Sequence, residues 1–285
     1  MTSVSLEKKR NDNFVHSYVI SGFMVVCAMA LFLSVVPVTA LPAEESSVSI
    51  TSADKNAGKI AAFLYKPDSG SGPFPAVVVM HGGGGVHGWV TDFGSTISDW
   101  GYVTLVIDTY GSRNIRSTRE IGYKKGAFHQ IADVYGGYRF LPKLDFVDAK
   151  RIAVLGFSRG GHTALNAIGE EQSLPYYLNN GLAKSGDFAA AVAIYPHCKD
   201  QENIVHKAPV LILIGDRDRQ PNLDCSADVV NRSKALGLKS VLHIYPGVTH
   251  AYFSKRIRNP SFEYDSSAVD DTEQRTKAFL AKHLR

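Results

Sequence analysis

A chain of 285 residues, 45% hydrophobic and 20% charged, has the composition of a globular protein able to bury a sizeable core. Its formal net charge of +4 is spread thinly, and beyond Lys8-Lys9-Arg10 no basic run is interleaved with aromatics. That pattern argues against nucleic acid as a partner.

The three basic residues precede an apolar segment, "YVISGFMVVCAMALFLSVVPVTA", that ends at Ala40. A charged start, an apolar middle and small residues at the end describe a secretory signal peptide, with cleavage expected after Ala40. An uncleaved anchor is the alternative, because the apolar run approaches the roughly 20 residues that span a bilayer. Cys27 follows Val26 and not a small residue, which argues against a lipoprotein site. The expected location is periplasmic or secreted, or membrane-anchored with the domain outside the cytoplasm. Cys198 and Cys225 then form an even pair in an exported domain, which reads as a disulfide.

After the signal, residues 41–285 read as a single domain. "SVSITS" and "GKIAAFLYKP" predict two antiparallel edge strands. Six apolar, β-branched runs follow at 76–80, 103–108, 151–156, 190–195, 209–215 and 240–246. They are near-continuous, as strands buried on both faces of a parallel sheet require. Helices are expected between them at 93–100, 127–141, 160–169, 226–236 and 270–283, and Ile131, Val134, Tyr138 and Leu141 form one apolar stripe. Alternating strands and helices imply a doubly wound α/β fold, with functional groups beyond the carboxyl ends of the strands.

The third of these runs feeds Gly156-Phe157-Ser158-Arg159-Gly160. A strand, G-x-S-x-G and then a helix form a nucleophile elbow, a strained turn that lifts a serine Oγ above the sheet. A serine hydroxyl needs a neutral imidazole to take its proton and an acid to fix the imidazole tautomer. His250, in a loop after Pro246-Gly247, is the expected base, while His243 lies within a strand and is expected to be structural. Asp216 and Asp218 share the loop after the 209–215 strand, and spacing alone does not separate them. The oxyanion of acyl transfer needs two N–H donors, expected from the backbone of Arg159 and of Gly83 in His81-Gly82-Gly83-Gly84-Gly85. His81 and His87 share that loop without a metal-ligand pattern, and no phosphate-binding fingerprint occurs, so neither metal nor cofactor is expected.

"VVVMHGGGG", "GYVTLVIDTYGSR", "DAKRIAVLGFSRGG", "IYPHC", "LILIGDRDRQP" and "YPGVTHAYF", in order over residues 60 to 285, resemble the dienelactone hydrolase family of α/β-hydrolases. "DDTEQRTKAFLAKHL" resembles its final helix. The resemblance implies a mostly parallel sheet of about eight strands flanked by helices and hydrolysis of small-molecule esters or lactones without a cofactor. It aligns Gly215, Asp218 and Pro221 with the family's acid block, favouring Asp218, and matches Ser158 and His250 to nucleophile and base. Cys198 and Cys225 resemble a cysteine pair found in part of the family. Dienelactone-cleaving members carry cysteine where Ser158 stands and an acid near the first loop. "HGGGGVHG" has none, so a serine carboxylesterase or lactonase acting outside the cytoplasm is expected rather than a dienelactone-cleaving enzyme. Acyl transfer or peptide cleavage by the same triad is an alternative, as is a non-catalytic binding protein on this fold. Tyr110, Arg113, Trp89, Tyr252 and Phe253 lie on strand-end loops, where they either line a pocket, Arg113 then pairing with an acidic group of the substrate, or serve as core packing or surface, the commoner role for such residues; none is taken as catalytic.

Overall fold

A computed structural model describes residues 44–179, 187–255 and 262–284. The expected signal segment and its cleavage site lie outside the described residues.

Eight strands form one sheet: β1 (Glu44–Thr51), β2 (Lys59–Lys66), β3 (Phe74–Met80), β4 (Val103–Ile107), β5 (Val147–Phe157), β6 (Ala190–Ile194), β7 (Val210–Gly215) and β8 (Val241–Tyr245). Their spatial order is β1-β2-β4-β3-β5-β6-β7-β8. The first two strands and the β2/β4 pair are antiparallel, and every later pair is parallel. Among the described residues, seven α-helices accompany them: α1 (Gly88–Asp99), α2 (Thr118–Ile121), α3 (Tyr123–Phe140), α4 (Arg159–Ala167), α5 (Tyr176–Asn179), α6 (Gln220–Ala235) and α7 (Ser266–His283). The chain therefore has the α/β-hydrolase fold, with a mostly parallel eight-stranded sheet between helical layers.

Successive strand residues point to opposite faces, so one apolar run supplies two cores. Val78 and Met80 of β3 pack with Ile131 of α3, Leu165 of α4 and Val229 of α6. Val77 and Val79 face the other way, toward Val90, Phe93 and Ile97 of α1 and Phe279 and Leu280 of α7. Runs without polar alternation are what two buried faces demand.

Several expectations need correction, α3 and α7 each beginning four residues earlier than expected, at Tyr123 and Ser266. The last strand is not buried on both faces: Val241 and Ile244 of β8 are 42% and 43% exposed, because β8 is an edge strand with one neighbour. α1 begins at Gly88 and not at residue 93, after an N-cap, His87, that makes no side-chain capping bond. α6 begins at Gln220 and not at residue 226, because Pro221 falls in its first turn, where a missing N–H costs the helix nothing. Cys225 consequently sits on a helix rather than in the loop after a strand.

Candidate active site

β5 ends at Phe157, and Ser158 turns the chain into α4 with φ 52° and ψ −105°. A positive φ is uncommon for any residue with a Cβ, and such a conformation costs on the order of 1–3 kcal/mol that the surrounding packing must hold. The glycines supply that packing. A Cβ on Gly156 would stand 2.0 Å from the Gly160 carbonyl oxygen, and one on Gly160 would stand 2.1 Å from the Met80 carbonyl oxygen. Without side chains there, α4 closes against both β5 and the end of β3. Its N-terminus, with the partial positive charge of the helix dipole, then faces the space above Ser158.

Ser158 Oγ lies 2.8 Å from His250 Nε2, and His250 Nδ1 lies 2.6 Å from Asp218 Oδ2. An ionised carboxylate only accepts, so Nδ1 carries the proton and Nε2 is free to receive the serine hydroxyl's hydrogen. The side chain of Asp218 is fully buried, and its Oδ1 accepts from Arg219 N at 2.6 Å and from Asn222 Nδ2 at 3.0 Å. Asp216, two residues earlier, is exposed and accepts from Gly247 N at 2.7 Å. It stabilises the turn that follows β8, and the structure brings Asp218, not Asp216, to the histidine.

The glycine loop passes beside the nucleophile. A Cβ at Gly82 would be 3.7 Å from Ser158 Cβ, and Gly83 borders the same cavity as Ser158 and Arg159. Two contacts fix the loop: Thr118 N donates to the Gly83 carbonyl at 2.8 Å, and Gln130 Nε2 donates to the His81 carbonyl at 2.8 Å. Gln130 also accepts from Thr163 Oγ1 of α4 at 3.0 Å, tying loop and elbow together. His81 is buried, its Nδ1 2.7 Å from the Gly82 carbonyl oxygen, and burial lowers its pKa, so it serves the loop as a neutral ring.

The cavity over Ser158 has a volume of about 520 Å³, within the usual range for small-molecule sites. Trp89, Phe157, Tyr195 and Phe262 give it apolar walls, and Arg119, Arg159 and Arg219 border it without a carboxylate among the described lining residues. Arg159 is buried, its guanidinium 4.0 Å from the Tyr123 ring centroid and its Nη1 donating to the Tyr123 carbonyl at 3.2 Å. His197 also borders the cavity; burial, with Arg159 and His250 nearby, pushes its pKa down to about 4.

Of the pocket residues expected from sequence, Trp89 lines this cavity, edge-on to Phe157 at 4.8 Å. Phe253 packs behind it, 5.7 Å from the Trp89 ring. Tyr110 and Tyr252 do not reach the cavity: both are fully buried, bonded to Thr118 at 3.2 Å and Thr272 at 2.7 Å. Arg113 is not available to a substrate, since both its Nη atoms bond Asp133 of α3, at 2.7 and 2.9 Å. His243 stands 3.6 Å from Asp271 of α7, remote from Ser158 in role as expected. Asn222 is the residue that reading the sequence missed; its signal is the spacing of four from Asp218 across the first turn of a helix. Cys198 and Cys225 form a disulfide with a Cα–Cα distance of 5.8 Å.

The dienelactone hydrolase family model matches residues 60–284. The chain belongs to the dienelactone hydrolase family. Membership ranks it with the carboxylic ester hydrolases. Among curated relatives, protein usf of Aquifex pyrophilus is 22% identical over 81% of this chain and 96% of its own length. The acylamino-acid-releasing enzyme of Mus musculus is 23% identical over 70% of this chain, which spans about a third (32%) of that enzyme. Among solved structures, a dienelactone hydrolase-like promiscuous phosphotriesterase from metagenomic libraries superposes with a TM-score of 0.68 at 17% identity, covering 86% of this chain and all of that one. At such identity the likeness is one of fold.

Proposed function

We propose that this member of the family is a serine hydrolase that cleaves small-molecule carboxylic esters or lactones through an acyl-enzyme. The observation that carries the reading is the unbroken hydrogen-bonded chain Ser158–His250–Asp218 opening on a cavity. Ser158 Oγ attacks the carbonyl carbon as its proton passes to His250 Nε2. The oxyanion that forms is held by the backbone N–H groups of Arg159 and Gly83. Collapse breaks the ester bond, and the leaving alkoxide takes the proton from His250. In a lactone the alcohol stays attached to the acyl chain. Water then attacks the acyl-enzyme, gives its proton to His250, and Ser158 regains it. Asp218 remains ionised and holds the imidazole in the tautomer this cycle needs.

The test is labelling of the purified protein with a fluorophosphonate, with the adduct located by mass spectrometry, beside hydrolysis of p-nitrophenyl esters. Labelling at Ser158 that is lost in His250→Ala is the expected result. A folded protein that neither labels nor turns over esters contradicts the reading. The likeness to an acylamino-acid-releasing enzyme favours one further reading, cleavage of an N-acylated amino-acid amide by the same triad. An N-acetyl-alanine anilide in the same assay separates the two. The proposed action lies outside the cytoplasm, which the Cys198–Cys225 bridge supports, since such bridges persist in oxidising compartments.

A further inference from the structure

Residues 197 and 198, just beyond β6, touch both halves of the site. His197 N donates to the Ser158 carbonyl at 2.9 Å, inside the elbow. Cys198 N donates to Asn222 Oδ1 at 3.3 Å, and Asn222 Nδ2 donates to Asp218 Oδ1 at 3.0 Å. The orientation of the Asn222 amide is dictated by its neighbours, because the carboxylate only accepts and the backbone N–H only donates. Asn222 is 5% exposed. Three residues further along α6, Cys225 is covalently bonded to Cys198, closing a link across a sequence separation of 27. The start of α6 is thus pinned twice to the same short segment, once by an amide and once by a disulfide, at the point where it holds the acid.

Taking Asp218 as the acid of the triad proposed above, we infer that Asn222 is a positioning residue for Asp218, held in place by the Cys198–Cys225 bridge, so that turnover falls when the bridge is reduced. The Asp218 carboxylate could pivot about its Cβ–Cγ bond if only Arg219 N held Oδ1. The second donor fixes the carboxylate plane and so the direction of Oδ2 toward His250. With the bridge opened, the hydrogen bond that still ties the start of α6 to residue 198 is the 3.3 Å one from Cys198 N to Asn222, beside the apolar packing of the Cys198 and Cys225 side chains. The reducing step is a two-electron exchange: a dithiol such as dithiothreitol becomes its cyclic disulfide, and Cys198 and Cys225 become thiols.

The experiment compares the oxidised protein with Asn222→Asp, Asn222→Leu and Cys225→Ser. It measures kcat and KM on p-nitrophenyl acetate and the low-field proton resonance of the His250 Nδ1–H···Asp218 hydrogen bond. Asn222→Asp keeps an oxygen for Cys198 N–H but sets a second carboxyl about 3 Å from Asp218, a pair that shares a proton or repels, whereas Asn222→Leu removes the donor without adding a charge. Both Asn222 variants are expected to lose about 10–100-fold in kcat, the scale of a misplaced catalytic group, with KM little changed and the resonance shifted. An Asn222→Leu protein with wild-type kcat overturns the proposal. So does a raised KM with kcat retained, which would make Asn222 a substrate contact. Dithiothreitol is expected to lower the wild-type kcat reversibly and to leave Cys225→Ser unresponsive. Unchanged turnover in protein shown by thiol titration to be reduced overturns the role of the bridge. A wild type that hydrolyses no ester defeats the proposed function instead. The resonance needs no substrate, and its shift or constancy in Asn222→Leu still decides the positioning role.

Discussion

Gly160 and Met80 meet backbone to backbone: a Cβ on the glycine would stand 2.1 Å from the methionine carbonyl oxygen. That contact sets the end of β3, where the glycine loop begins, directly against the helix that carries the nucleophile. Gly160→Ala must therefore push α4 away from β3, and neither partner is a flexible side chain. We expect a loss of 3 kcal/mol or more, about the upper range for overpacking a tight site, read by urea denaturation. Gly88→Ala is the control, since nothing lies within 4 Å of its added Cβ and α1 starts there. A change within about 1 kcal/mol, favouring alanine as the better helix former, is expected.

Asp218 and Asp216 predict opposite outcomes for the same chemical change. Asp218→Asn replaces the acceptor that fixes the His250 tautomer, and kcat for ester hydrolysis is expected to fall about 10³–10⁴-fold. Asp216→Asn retains an oxygen able to accept from Gly247 N, the contact Asp216 makes at 2.7 Å. Its kcat is expected to stay within about twofold of wild type, as for an exposed turn residue. Comparable losses in the two variants would contradict the assignment of the acid.

Acid should destabilise the fold through buried histidines. His162 of α4 is buried and held down to about 3, and His206 to about 4, both chiefly by desolvation. Both folded values lie below the ordinary value near 6.5. Between 6.5 and the folded value the unfolded chain binds more protons, so stability is full above 6.5 and falls as the pH drops toward 4. Each histidine contributes at most about 1.4 kcal/mol per pH unit in that window. Urea midpoints measured from pH 7.5 to 4.5 check the slope, which should flatten in His206→Gln.

How much of this was legible in the sequence follows from what kind of signal each residue sends. The strands announce themselves because burial on both faces removes every polar residue from "AVVVM" and "PVLILIG". Ser158, His250 and the glycines are legible because strained turns and close approaches restrict residue type. The start of α6 was hidden by Pro221, which usually signals an end of regular structure yet is tolerated in a first turn. Asp218 was separable from Asp216 by family likeness but not by local spacing, since the difference lies in which carboxylate the turn buries. Asn222 and the occupation of Arg113 by Asp133 are tertiary facts, 24 and 20 residues from their partners Cys198 and Asp133. No local pattern encodes those two contacts, whereas the bond from Asn222 to Asp218 spans four residues and leaves the spacing as its one local signal.

Arg113 carries the last prediction, and it reverses the expectation drawn from its place on a strand-end loop. The side chain of Asp133 is wholly buried and bonds both Nη atoms of Arg113, while Ser52 Oγ donates to its Oδ1 at 2.6 Å. Arg113 Nη1 also donates to the Thr109 carbonyl at 2.7 Å, anchoring the loop after β4. Arg113→Ala would leave a buried carboxylate with a hydroxyl as its remaining partner in this cluster. Removing one member of a buried pair costs about 3–5 kcal/mol, so the variant should be destabilised by that order in urea, without a change in the ratio of KM values for anionic and neutral esters. Selection for anionic esters is expected instead from the arginines that border the cavity. Arg219→Ala, at an exposed position on the cavity rim, should raise KM for a carboxylate-bearing ester more than for its neutral methyl ester. Equal effects on the two esters would remove Arg219 from substrate selection, and a selective effect in Arg113→Ala would mean that the Arg113–Asp133 pair opens to substrate.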